Sequence, residues 1–174
     1  MSMKKHLLNF ACITALIISL SISLSSCGKD ILGGDTPLKS GETQVTVSGT
    51  GQGTGHFYAT NTQVTEGSST YFIVASVRSA TNEDSLVIHI LIPKQATAPY
   101  TVDVKSDATA VVDYCVTTST GTCVTYRSKQ GVGTATVKVT DISSNVQGTF
   151  SGTLQADNGA TSITFSSGGF NASF

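Results

Sequence analysis

Val112-Asp-Tyr-Cys-Val-Thr-Thr-Ser-Thr-Gly-Thr-Cys-Val-Thr-Tyr-Arg127 reads as two alternating segments around a threonine-rich centre. Apolar residues fall on every second position, the period of a half-buried strand. Pairing Cys115 with Cys123 puts the apex near Ser119 and sets Tyr114 opposite Val124, Asp113 opposite Thr125 and Val112 opposite Tyr126. In that register Val112, Tyr114, Val124 and Tyr126 share one face, while Asp113, Thr125, Arg127 and both cysteines share the other. The expectation is a hairpin with an apolar inner face and a Cys115–Cys123 disulfide on its outer face. Closing so short a loop contributes less than the ~3 kcal/mol that chain entropy assigns to a loop of about fifteen residues. A metal site would need more ligands and a closer pair such as C-x₂₋₄-C. His56 and His89 are the only candidates to complete one and neither is near in sequence, so no metal is expected.

The same period of two runs through most of the chain on either side. Thr43, Val45 and Val47 alternate with Gln44, Thr46 and Ser48, and Tyr71, Ile73, Ala75 and Val77 alternate with Phe72, Val74, Ser76 and Arg78. Ser85 to Ile92 is apolar throughout except for His89, the pattern of a central strand covered on both faces, and Pro93 ends it. Ala135, Val137 and Val139 oppose Thr134, Thr136 and Lys138. Val146, Phe150 and Leu154 share a face with Gly148 and Gly152, which allows a close-packed, bent strand. Thr161–Ser166 and Gly169–Phe174 read as two final strands. No window after the first residues has a helical period. The fold class expected is all-β, an antiparallel β-sandwich of immunoglobulin-like type, with a lipocalin-like closed barrel as the alternative. The barrel would carry an interior pocket lined by Phe72, Ile88, Ile90, Tyr114 and Tyr126.

The start of the chain obeys different rules. Lys4 and Lys5 precede an apolar run from Leu7 to Leu24, which ends in Leu24-Ser-Ser-Cys27. Charge, apolar segment and small residues before a cysteine make a bacterial lipoprotein signal. A membrane-spanning helix is the rival reading, but five serines between Ser19 and Ser26 dilute the run where a stop-transfer segment needs apolarity. Residues 1–26 are therefore read as signal peptide, with Cys27 as the lipidated first residue of the mature chain. Each buried methylene adds about 0.8 kcal/mol, so a multiply acylated cysteine anchors without an amphipathic helix. By the resemblance to the lipoprotein class, Gly28, where an aspartate would favour retention, implies the outer membrane, on either of its faces. Residues 27–42, rich in glycine and charge, form a flexible tether with a reach of roughly 50 Å. Residues 43–174 form a single domain.

Composition narrows the function classes. The whole chain has 10 basic and 11 acidic residues. Losing Lys4 and Lys5 with the signal leaves the mature protein near minus three, which argues against a nucleic-acid partner. Gly49-Thr-Gly-Gln-Gly-Thr-Gly55 lacks the Lys-Ser/Thr ending and following helix of a phosphate loop, and reads as a turn between strands. His89 reads as a sheet-face or core histidine. Glu66, Glu83 and Asp84 lie in turn-like stretches without the ligand spacing of a calcium loop, and no nucleophile elbow or HExxH occurs. No catalytic residue or cofactor is expected, and the ligand-binding residues are unknown. A glycan-binding module is the alternative function. With no tryptophan in the chain, its stacking platform would fall to Tyr58, Tyr71, Tyr100 or Tyr126. Three of these alternate with apolar neighbours as core residues do. An exposed sheet edge offered to a protein partner is the other form of binding considered.

The last third carries a recognisable pattern: Gly131-Val-Gly-Thr-Ala-Thr-Val-Lys-Val-Thr-Asp141, Val146-Gln-Gly-Thr-Phe-Ser-Gly-Thr-Leu154, Asn158-Gly159, Ser162-Ile-Thr164 and Gly169-Phe170. It resembles the C-terminal half of a family of Bacteroidetes lipoproteins that read G-x-V-x-I-T, V-x-G-T-F and I-T-x-G-x-F. Gly55-His-Phe-Tyr-Ala59 and Ala98-Pro-Tyr-Thr-Val102 resemble earlier segments of the same family. The resemblance implies an all-β exported lipoprotein with no established activity, and it carries no functional residue over. It departs at Ser166-Ser-Gly-Gly169, where the family usually has a Thr-Asn-Gly turn.

Overall fold

The computed structural model describes residues 37–78 and 84–174. The regular elements among them are eleven strands: β1 (Glu42–Gly49), β2 (Gly55–Ala59), β3 (Gln63–Glu66), β4 (Thr70–Arg78), β5 (Asp84–Pro93), β6 (Tyr100–Asp103), β7 (Val111–Thr117), β8 (Cys123–Ser128), β9 (Thr136–Asp141), β10 (Asn145–Ala156) and β11 (Ser162–Ser173). The all-β, antiparallel expectation holds. Residues 1–36 and 79–83, with Cys27 and Glu83 among them, lie outside the described residues.

The strands form one sheet in the order β2-β1-β11-β3-β4-β5-β7-β8-β10-β9-β6, with β10 also bonded to β11. Because β10 and β11 pair along nearly their whole length, the sheet doubles into two layers. One is β2-β1-β11-β10-β9-β6 and the other β3-β4-β5-β7-β8. They join at two corners. At one, Ser173 of β11 lies parallel to Gln63 of β3; at the other, Gln155 and Ala156 of β10 pair with Arg127 and Tyr126 of β8. The result is a sandwich with corners stitched in the manner of a barrel, and its likeness to an immunoglobulin domain is that of two packed antiparallel layers.

The core is the sum of the inward-facing alternate residues. Val45 and Val47 of β1, Tyr71, Ile73 and Ala75 of β4, Ile88, Ile90 and Ile92 of β5, and Val137 and Val139 of β9 are all buried. Tyr114 of β7 spans the two layers, its ring 6.2 Å from Phe57 of β2 and 5.5 Å from Phe165 of β11, both edge to face. Ile88, Ile90, Tyr114 and Tyr126, expected to line a barrel pocket, are packed into this core at 1% exposure or less. Phe72 is not with them, because it stands on the opposite side of β4 at 39% exposure.

The bend that lets two long strands serve both layers is local. The β10–β11 register slips between Phe150 and Gly152, and Gly152 adopts φ +136°, a conformation that side chains rarely take. Facing it, β11 runs unbroken through Ser166–Gly169, where two strands were expected. A bulge with Ser167 at φ 53° absorbs the extra residue in place of a turn. Phe170 and Ala172 are buried, while Phe174 lies past the end of β11 and is 59% exposed.

Candidate functional site

The outer face of the second layer is built by the same alternation that fills the core. With Ile88, Ile90 and Ile92 turned inward, β5 must present Val87, His89 and Leu91 outward, and these are only half-buried. The expectation that β5 is covered on both faces therefore fails on this side. An apolar run marks a strand flanked on both edges, by β4 and β7, but it does not by itself bring a second cover.

Two cross-strand rows define the surface. Phe72 of β4, Leu91 of β5 and Val111 of β7 are register neighbours, and beside them Val74, His89, Asp113 and Arg127 form a row across β4, β5, β7 and β8. Phe72, His89, Leu91, Val111, Asp113, Arg127 and Lys129 line a hollow of about 390 Å³. The Phe72 and His89 rings lie 5.6 Å apart with their planes 31° apart. Arg127 donates from Nε to Asp113 Oδ1 at 2.7 Å and from Nη2 to Oδ2 at 3.1 Å. Such a bidentate pair holds both side chains in one geometry. The hydrogen bond to Asp113 raises the Arg127 pKa above its ordinary value against the opposing cost of desolvation. Asp157 approaches from the far side, 3.6 Å from Nη1.

This ion pair was missed in the sequence because the hairpin register is displaced. Asp113 faces Arg127, Tyr114 faces Tyr126, and Cys115 faces Thr125, with Cys123 opposite Thr117. The turn is thus the five residues Thr118–Thr122, and the cysteines are diagonal neighbours with Cα atoms 5.7 Å apart and sulfurs at a bonding distance of 2.01 Å. A displacement by two residues preserves each side chain's face, so the expected division into apolar and polar faces survives while the partners change. The opposite charges of Asp113 and Arg127 were the available signal.

The other sequence candidates are placed apart from the hollow. Glu66 pairs with Lys94, whose ammonium also lies 5.8 Å from the Tyr71 ring centroid. Asp84 belongs to β5. His56, on the first layer, bonds the Thr46 hydroxyl at 3.2 Å. No cluster of three or more metal-ligating side chains occurs among the described residues. Of the four tyrosines considered for a glycan platform, Tyr71, Tyr100 and Tyr126 are buried as core residues, and Tyr58 is 46% exposed with its hydroxyl on Glu42. The Gly49–Gly55 stretch is a turn between strands, as expected, and it is pinned across the end of the core. Gln52 N donates to Tyr126 Oη at 2.6 Å, and Tyr114 Oη donates to the Gly53 carbonyl at 2.8 Å.

The chain enters the domain on the opposite layer. Leu38 packs over Gly169, its carbonyl accepts from Asn171 Nδ2 at 2.8 Å, and Gly41 N donates to the Asn171 carbonyl at 2.7 Å. Leu38 and Gly41, within the stretch read as tether, are thus bonded to β11. Compared with protein-family models, curated proteins and solved structures, the chain matches none.

Proposed function

We propose that the chain is a bacterial envelope lipoprotein of the Bacteroidetes kind it resembles, cleaved before Cys27, acylated there and held at the outer membrane. Its domain is a non-catalytic binding module whose ligand seats in the hollow on the outer face of the second layer. The observation that carries this reading is an exposed aromatic ring, Phe72, set in a recess beside a fixed ion pair. Apolar surface with a few oriented polar groups is how small-molecule sites are built. The carboxylates of Asp113 and Glu66 are each engaged by a cation, an arrangement suited to structure and recognition more than to proton transfer.

In the producing cell, an alkyne-bearing palmitate analogue should label the wild-type protein and leave Cys27→Ser unlabelled. Equal labelling of both would sink the lipoprotein assignment. Protease shaving of intact cells, with a periplasmic protein as control, reports which face of the outer membrane carries the domain. The glycan-binding alternative now rests on Tyr58 and Phe72, the two large aromatic side chains within the strands that remain exposed. It predicts polysaccharide binding that is lost on replacing either.

A further inference from the structure

We infer that the hollow takes a planar aromatic carboxylate, its ring laid on Phe72, Leu91 and Val111 and its acid group held at the Lys129 ammonium. This rests on the binding-module reading and names the ligand class of the same site. The floor is three register neighbours on adjacent strands, and a pleated sheet face presents such side chains as a level surface. Phe72 and His89 are already packed ring against ring, so a further ring extends an existing aromatic surface. The volume, about 390 Å³, is in the range of small-molecule sites.

Charge selects the ligand's polar end. The lining holds two cations, Arg127 and Lys129, and one carboxylate, Asp113. Asp113 is answered in full by the two-pronged bond from Arg127. Asp157 stands behind Arg127, its side chain 62% exposed and screened by water. Among the described residues no carboxylate lies within ion-pair reach of Lys129. A positive group is left over at the rim of an apolar floor, in a mature chain whose net charge is negative. The attraction for an anion is therefore local to this recess. A neutral ligand leaves Lys129 unanswered, and a cationic one is repelled.

The test uses the lipidated full-length mature protein in lipid nanodiscs, with empty nanodiscs as baseline, and 2-naphthoate as probe in equilibrium dialysis. Naphthalene-2-methanol, 2-naphthylmethylamine and a panel of oligosaccharides are run beside it. Saturable binding of 2-naphthoate is expected, stronger than that of either naphthalene analogue. Lys129→Gln should weaken it about threefold to fivefold, the range of a partly exposed charge pair, and Lys129→Arg should restore it. Phe72→Ser should abolish it, and an unchanged near-ultraviolet circular dichroism spectrum verifies that this variant folds. If the alcohol or the amine binds as well as the acid, or Lys129→Gln is without effect, the carboxylate assignment is overturned while the hollow stands as a site. If only an oligosaccharide binds and does so through Phe72, the ligand class is likewise overturned. If nothing in the panel binds in a Phe72-dependent way, the inference and the reading beneath it both fall.

Discussion

Single atoms decide how the Gly49–Gly55 turn sits. A Cβ on Gly51 would lie 2.6 Å from Tyr126 Cε1 and Oη and 2.7 Å from Ile163 Cγ2, too close for a real side chain. Gly51 is therefore required by contact with the core. Overpacking of this kind costs about 1–3 kcal/mol, and Gly51→Ala should lower stability by that amount in a urea titration. Tyr126→Phe removes the acceptor of the Gln52 N–H and should cost about 1 kcal/mol. The double variant should lose less than the sum of the two, because removing Oη also relieves part of the clash, and contacting residues are non-additive. Strict additivity would show that the ring and turn are not in contact in solution.

Among the elements, the β7–β8 hairpin carries both the staple and half of the hollow. The cysteines are cross-strand diagonals on the outer face, and Asp113 and Arg127 are directly opposed one step further from the turn. Replacing both cysteines with serine releases a short loop and should cost less than ~3 kcal/mol. The apolar side of the hairpin, with Val112, Tyr114 and Tyr126 buried, holds the two strands together without it. The double serine variant should therefore fold and retain the hollow, read as amide protection in β7 and β8 measured by hydrogen exchange. Loss of protection throughout β7 and β8 would show the bridge to be essential to the hairpin.

Across the molecule, the buried tyrosines tie stability to alkaline pH. Burial pushes Tyr100 and Tyr114 up to about 12 from the ordinary value of 10. Above pH 10 the unfolded chain releases these protons while the folded chain keeps them. Their contribution to stability is thus complete below pH 10 and is lost as pH rises toward 12. In a spectrophotometric titration these two phenols should ionise late, together with loss of near-ultraviolet dichroism, and Tyr114→Phe should remove one late step. Ionisation of all the tyrosines near pH 10 with the fold intact would contradict the buried, layer-spanning position of Tyr114.

Strand identity, strand faces and the Cys115–Cys123 bridge were legible in the residues, because strand geometry alternates with a strict period of two and any local window reports it. The alternations at Thr43–Ser48, Tyr71–Ala75 and Thr134–Val139 stand, whereas past Ala75 it is Ser76 that is buried and Val77 only partly so. Register and layer assignment were not legible. A shift of the hairpin by two residues leaves every face unchanged, so the face pattern around Cys115 and Cys123 cannot tell Thr125 from Arg127 as the partner of Asp113. Whether an apolar strand is covered on its second face depends on which segments fold over it. The outward Val87, His89 and Leu91 look the same in sequence either way. The hollow is a product of such non-local facts: four strands from separate parts of the chain bring Phe72, His89, Asp113 and Arg127 side by side. The residues alone specify a two-faced β chain behind a segment that reads as a lipoprotein signal. Which face is left open, and which charges meet there, emerges only on folding, because strand register and layer cover are settled by the packing of the whole sheet.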